Sequence, residues 1–358
     1  MGVNNIVIKK SRILNIATFP PPIGGVSYFL RRLKSYTDID KKKQFIYVDV
    51  SGKNIKKKRQ EGIKCYNKIS VFFFLLFTKP SLVVFHSNSF GHLFLHLIFK
   101  KKHSFIYLTH GESILKKKNQ SGWRYNILSK AKAIITPTEE LYVKTKRIFN
   151  NNCLIKYIPF IIYPRNVSVF NSTSFEQLRK NTDFIFSGYA NSLITYNNNE
   201  LYGIDMMIEL IHTLNCKGYN VGIAILITNI NDKQKFDEYL SLIKKYEIEN
   251  KIVFLTEAFE EASSLYIATD AYLRPTNTDG DSFSIWEALH FCIPVLTSDA
   301  TQRPKGCVLF KNRNQADLEK KAIGLINGYA EIKKSVQDLK IQGNEKEMIQ
   351  FLAEMAIK

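Results

Sequence analysis

The residues best placed to do chemistry lie in TDGDSFSIWEAL, residues 278–289. Asp279 and Asp281 flank Gly280 in a turn, and Glu287 follows on a segment whose apolar spacing predicts a helix. Carboxylates only accept hydrogen bonds, so such a pair suits the O–H donors of sugar or ribose hydroxyls. Gly280, Asp281, Ser282 and Phe283 present backbone amides where that helix begins, and amides at a helix N-terminus suit a diphosphate. Asp281 or Ser282 alone reads equally well as a helix cap, but capping does not account for the whole run. Two other segments carry candidates. In PPPIGGVS (20–27) three prolines stiffen a turn, and Gly24 and Gly25 would let backbone N–H groups approach a phosphate; the alternative is a plain strand-to-helix turn. In YLTHGES (107–113) His110 ends a buried strand, as either a ligand contact or a structural histidine.

The surrounding pattern says which elements must hold these residues. Strands are predicted at 12–19, 44–50, 82–86, 105–110, 133–137 and 153–159, with helices at 27–36, 70–77, 91–99 and 139–149. The polar stretch 163–182 breaks the rhythm and reads as an interdomain linker. The pattern restarts with strands at 184–188, 221–227, 252–255, 271–275, 294–298 and 308–310. Helices follow at 202–214, 237–246, 260–270, 283–291, 315–329 and 344–355. Continuous apolar strands between helices argue for parallel sheets covered on both faces, hence an α/β protein of two doubly wound domains. The expected boundaries are 1–165 and 166–340, with a C-terminal helix in 341–358 that could pack back on the first domain. In such sheets ligands bind at the carboxyl ends of strands, and two facing sheets would put that crevice between the domains.

Composition narrows the classes. Of 358 residues, 45% are hydrophobic and 23% charged, the profile of a soluble globular chain. Five scattered cysteines with no CxxC argue against a disulfide framework or a zinc site, and fit a reducing cytosol. No signal peptide is read at the start. The most apolar runs, 71–77 and 93–99, fall short of the roughly 20 residues a membrane helix needs. The net charge of +19 is uneven: residues 1–165 hold 31 basic and 7 acidic side chains, the remainder 20 and 25. Basic runs at 41–43, 56–59, 100–102 and 116–118 are individually solvated loop ends; together they could form a surface for anionic lipid, at about 1 kcal/mol per basic residue. Nucleic acid is not expected as a partner, because the runs lack interleaved aromatics and any helix-turn-helix or finger pattern.

Pro-Pro-x-Gly-Gly-Val-Ser (21–27), His110-Gly111, TDGDSFSIWEAL and the PVLTSD that follows (294–299) resemble glycosyltransferase family 4, in order and spacing along nearly the whole chain. That resemblance implies the GT-B fold, with two Rossmann-like doubly wound domains facing across a cleft. It implies that Asp279 and Glu287 are the acid-x7-acid pair, the first contacting the donor sugar and the second the ribose. Gly24 and Gly25 would lie by the donor diphosphate, His110 would contact the transferred sugar, and Gly280, Asp281, Ser282 and Phe283 would line the diphosphate and sugar. The chain departs from the family in having Asp rather than Glu at 279, a DGDS-type variant. It also lacks Lys or Arg in 187–203, where the family's diphosphate-neutralising Arg is expected, and Asn-Gly after Pro159. Arg274, backbone amides or a basic residue of the first domain would have to compensate.

The activity so implied is a retaining, metal-independent glycosyltransferase without a cofactor. It would move a sugar from a nucleotide-diphosphate sugar to a hydroxyl of a glycan, carried on a polyprenyl diphosphate, in bacterial O-antigen or capsule synthesis. The leaving diphosphate would serve as base in a front-side displacement, with the protein positioning groups and stabilising charge. His110 and Asp279 are the catalytic candidates; Gly24, Gly25, Arg274, Gly280, Asp281, Ser282, Phe283 and Glu287 are the donor-binding ones. Residues 72–77 and the cation-flanked Trp123 point to peripheral attachment at the cytoplasmic membrane face, although 72–77 also reads as ordinary core. The alternatives are a nucleotide-sugar 2-epimerase and a non-catalytic GT-B module that binds nucleotide sugar without turnover.

Overall fold

The apolar runs build two parallel sheets, each flanked by helices, in the computed structural model. The structure describes residues 12–19, 25–38, 44–51, 53, 55–78, 80–86, 104–110, 112–116, 120–149, 152–256, 261–279 and 282–357. The chain divides into two units, Met1–Arg165 with Gly343–Lys358, and Asn166–Gln342.

The first unit contains β1 (Arg12–Ala17), β2 (Gln44–Asp49), β3 (Lys64–Cys65), β4 (Leu82–Phe85), β5 (Ser104–Leu108), β6 (Ala133–Thr136) and β7 (Leu154–Tyr157). All pair in parallel, in the order β3-β2-β1-β4-β5-β6-β7, so the winding reverses between β1 and β4. Its helices are α1 (Gly25–Thr37), α2 (Ile55–Gln60), α3 (Lys68–Phe77), α4 (Gly122–Leu128) and α5 (Glu139–Phe149). Side chains alternate across a strand. Leu14 and Ile16 therefore enter one core with Val71 and Leu75 of α3, while Ile13 and Ala17 enter the other with Phe29, Leu30 and Leu33 of α1. The C-terminal helix Glu345–Ile357 completes that second core through Met348, Phe351 and Leu352. It is tied in by Asn344 N donating to Ile161 O at 2.7 Å and Lys132 Nζ to Met355 O at 2.6 Å.

The second unit begins with α6 (Thr173–Lys180), inside the stretch expected to be linker. Phe175 and Leu178 bury one face of this short helix against Ala224 and Leu226, two apolar positions that the polar composition of the segment hides. Then come β8 (Phe184–Ala190), a hairpin of β9 (Thr195–Tyr196) and β10 (Asn199–Glu200), α7 (Ile204–Cys216), β11 (Val221–Ile227), α8 (Lys233–Lys245), β12 (Ile252–Leu255) and α9 (Ser263–Ala268). β13 (Ala271–Arg274), α10 (Phe283–His290), β14 (Val295–Ser298), β15 (Cys307–Phe310), α11 (Gln315–Asn327) and α12 (Tyr329–Asp338) follow. The sheet runs β12-β11-β8-β13-β14-β15, all parallel, and reverses between β8 and β13.

Several boundaries differ from the sequence reading for local reasons. α8 starts four residues before its expected apolar run because the Asp232 carboxylate caps it, accepting from Lys235 N at 3.0 Å. The helix expected over 315–329 stops at Gly328 and restarts as α12. The helix expected at 91–99 lies outside the described residues. All five cysteines are free. Among the described residues no helix is long and apolar enough to cross a membrane.

Candidate functional site

In the second unit the candidate residues collect where the sheet reverses, at the carboxyl ends of β13 and β14, where open α/β sheets bind ligands. Arg274 is the last residue of β13. Its Nε donates to Asp279 Oδ2 at 2.8 Å and its Nη2 to Asp279 Oδ1 at 3.2 Å, a bidentate fork. Arg303, beyond β14, adds a third donor through Nη1 to Asp279 Oδ2 at 3.0 Å. Arg303 also donates from Nε to Ser298 O and from Nη2 to Thr276 Oγ1, both at 3.0 Å, so one guanidinium joins both strand ends to the acidic loop. The arginine side chains are 8% and 1% exposed, that of Asp279 13%. Burial works to raise the Asp279 carboxyl, but Arg274 and then Arg303 outweigh it and hold it below the usual carboxylate range.

From the same clamp a hydrogen-bond chain runs to the start of α10. Arg274 Nη1 donates to Tyr272 Oη at 3.3 Å, Tyr272 Oη to Ser284 Oγ at 2.8 Å, and Ser284 Oγ lies 2.9 Å from Ser282 Oγ. Ser282 stands at the N-cap position of α10, yet its side chain makes no capping hydrogen bond, which corrects the capping alternative for this residue. Its hydroxyl goes to Ser284 instead, and its carbonyl oxygen accepts from Ile285 N at 3.1 Å and Trp286 N at 3.3 Å. Phe283 is exposed and Glu287 buried. Glu287 Oε2 accepts from Ser263 Oγ of α9 at 3.2 Å. Gly280 and Asp281 lie outside the described residues.

The loop after β8, where the sequence lacks a cation, is occupied by the β9–β10 hairpin. Asn197 and Asn198 turn it with φ of 49° and 59°. Asn277 pins it to the acidic loop, donating from Nδ2 to Tyr196 O at 2.9 Å and from N to Leu201 O at 3.0 Å. Gly203, at φ 68°, lets the start of α7 lie against Pro275, whose carbonyl oxygen would be 2.4 Å from any Cβ there.

In the first unit Gly25 is the first residue of α1, and Gly24 lies outside the described residues. The approach to that turn is fixed by Asp49 at the end of β2. Its Oδ1 accepts from Phe19 N at 2.8 Å and from the buried Lys58 Nζ at 2.9 Å, and its Oδ2 from Ser51 Oγ at 2.7 Å. His110 follows β5, half-buried between Phe29 of α1 and Phe160, with ring centroids at 5.4 and 4.8 Å. The carboxyl end of β4 supplies a second histidine, His86, whose Nδ1 lies 3.4 Å from His110 Nε2. His86 Nε2 lies 3.0 Å from Asn15 Oδ1 of β1. Burial pulls the His110 pKa down to about 3, and burial followed by the neighbouring His110 pulls His86 well below its usual value, so both rings are neutral.

Sequence reasoning did not nominate Arg303, His86 or Asn15. Arg303 lies past the motif in an irregular loop, and His86 reads as the tail of an apolar strand. For His86 the signal was position, since it directly follows β4, whereas Arg303 lies five residues past β14 and carried no such signal.

Comparison with known proteins bears on this architecture. The chain matches no family model. Protein CapJ of Staphylococcus aureus is 27% identical over 131 residues, a match spanning 32% of this chain and about a third (34%) of that protein. Among solved structures, a glycosyltransferase from Rickettsia africae matches with a TM-score of 0.66 at 14% identity, covering 97% of this chain and 99% of that one. Anabaena Alr3699/HepE in complex with UDP matches at 0.67 and 14%, covering 96% and 100%. The lipopolysaccharide outer core galactosyltransferase WaaB matches at 0.58 and 12%, covering 97% and 99%. Two parallel α/β units and these whole-chain likenesses give the protein the GT-B fold.

Proposed function

We propose that the protein is a retaining, metal-independent glycosyltransferase that takes a sugar from a nucleotide-diphosphate donor and transfers it to a hydroxyl of a lipid-linked glycan. The observation that carries this reading is the second unit's switch point. There a carboxylate clamped by two arginines, a serine-rich helix start and the buried Glu287 lie along one short loop and helix. Amides and guanidinium groups suit the diphosphate, and Glu287 suits ribose hydroxyls. HepE has been solved with UDP and with UDP-glucose, which supports a nucleotide-sugar donor. WaaB, by its name a lipopolysaccharide galactosyltransferase, supports a surface glycan as acceptor. In this reading His110 contacts the transferred sugar, Asp279 orients it, and the departing diphosphate takes the acceptor's proton.

The lipid-linked acceptor entails peripheral binding at the cytoplasmic face of an anionic membrane. The first unit holds 33 basic and 10 acidic side chains. On α3, Ile69, Phe73 and Phe77, spaced at i, i+4 and i+8, are 69%, 51% and 83% exposed. Basic and apolar side chains on one unit match an anionic bilayer.

A thermal-shift panel of UDP-, GDP- and dTDP-sugars, with a CMP-sugar as the monophosphate control, read together with sugar release, tests the donor site. One nucleotide class should stabilise the protein, by about 2.7 kcal/mol at a hundredfold excess over Kd. Glu287→Gln should weaken that binding tenfold or more, as expected for loss of hydrogen bonds to a charged group. No shift from any donor would sink the reading. A shift without sugar release on any acceptor would favour a non-catalytic binding module. That second reading draws on residues 187–203 having no Lys or Arg and on both site arginines being bonded to Asp279.

A further inference from the structure

We propose that Asn15 and His86 are positioning residues that set the tautomer of His110, so that its ring offers a lone pair to a donor hydroxyl. Asn15 sits mid-strand on β1, in register with Tyr47 of β2 and Val84 of β4, and is fully buried. Its face is that of Ile13 and Ala17, which contribute to the core beneath α1. An asparagine there does nothing for that core. Its Nδ2 has no hydrogen-bond partner among the described residues, a cost of about 1–3 kcal/mol for a buried donor. Its Oδ1 meets His86 Nε2 at 3.0 Å.

The protons follow from the acceptor. A carbonyl oxygen only accepts, so His86 carries its proton on Nε2 and its lone pair on Nδ1. His86 Nδ1 faces His110 Nε2 at 3.4 Å, so that nitrogen of His110 carries the proton. Desolvation keeps each ring neutral with a single proton, leaving His110 Nδ1 as an acceptor. Phe29 lies against both rings and Phe160 against His110, offering apolar surface that competes for neither nitrogen. A strand asparagine thus decides, two rings away, which hydrogen-bonding role His110 plays. The inference rests on the reading in which His110 meets the transferred sugar, and it assigns that contact a direction: the sugar hydroxyl donates.

Two-bond proton–nitrogen correlation spectra of the full chain labelled with ¹⁵N-histidine read the tautomers directly, with His86→Gln and His110→Gln used for assignment. Both rings should be protonated at Nε2 between pH 6 and 8. A His86 ring protonated at Nδ1 overturns the relay. This arm needs no turnover, so it decides the relay even if the chain transfers no sugar. In the kinetic arm Asn15→Leu should mix the tautomers of His110 and lower kcat on the order of tenfold or more, with KM for the nucleotide donor within about twofold. His86→Gln, which keeps an acceptor for His110, should retain most of the activity that His86→Phe loses. Equal loss in both His86 variants, or an unchanged His110 tautomer in Asn15→Leu, overturns the proposal.

Discussion

Asp279 bears two guanidinium groups on one carboxylate, and this changes what its removal would measure. Oδ2 takes contacts from Arg274 Nε, Arg303 Nη1 and Thr276 Oγ1, whereas Oδ1 takes only Arg274 Nη2 among the described residues. Each carboxylate oxygen has about two lone-pair sites, so Oδ1 is the atom still able to accept a sugar hydroxyl. Asp279→Ala is therefore no clean probe of catalysis, because it strands two buried cations. It should cost the second unit about 3–5 kcal/mol, the usual penalty for removing one partner of a buried pair. Arg303→Met should also destabilise, and the double variant should lose less than the sum of the two. Denaturant melts of the three variants check this; additive losses would show that the residues act independently. The acidic member was legible in the sequence because a Gly/Ser turn before a helix has no structural need of such a run. Arg303 was not, since only the parallel pairing of β13 with β14 returns its loop to Asp279.

At the scale of elements, periodic segments were readable and short polar ones were not. Buried strands such as β11, Val221–Ile227, are continuous apolar runs with no competing reading. The β9–β10 hairpin was missed because its signal is two asparagines in left-handed backbone, which a scan for apolar runs passes over. The α3 helix was ambiguous for a different reason. Its sequence, KISVFFFLLF, is apolar on every side, so core and exposed surface look alike until the fold assigns them. Val71 and Leu75 enter the core, whereas Ile69, Phe73 and Phe77 face outward. Ile69→Ser with Phe77→Ser should leave the melting temperature nearly unchanged, as exposed apolar side chains gain little from folding. The same pair should weaken partition onto anionic vesicles by about tenfold or more, a loss of at least about 1.4 kcal/mol. Cosedimentation with anionic and neutral vesicles separates the outcomes. Unchanged binding to the anionic ones would exclude α3 as the contact.

Over the whole molecule, the two units carry opposite charge and bury different ionisable groups, so acid should act on them in sequence. The first unit has 33 basic against 10 acidic side chains and the second 18 against 22. Lowering the pH adds positive charge to a unit already strongly positive, whereas in the other it first cancels an acidic excess. The buried groups act in the same direction. His86 and His110 are held neutral, with folded pKa values below the 6.5 of an unfolded histidine. The unfolded chain therefore binds protons that the folded first unit refuses. The stability these histidines contribute is complete above pH 6.5 and declines as pH falls toward the folded value of about 3 for His110, by no more than about 1.4 kcal/mol per pH unit for each. Asp279 is depressed below 3.8 in the second unit, so its clamp is complete above that pH and weakens only as pH drops through the lower folded value. Between pH 6 and 4 the first unit should thus lose protection while the second keeps it. Hydrogen exchange corrected for intrinsic rates, read on peptides of β1, β4 and β5 against β8, β13 and β14, measures this directly. Asn15→Leu with His86→Phe should flatten the first unit's pH dependence, since of the described histidine pair only the half-buried His110 then remains to be charged. Simultaneous loss of protection in both units would mean that the histidine pair and the charge asymmetry do not govern the acid response.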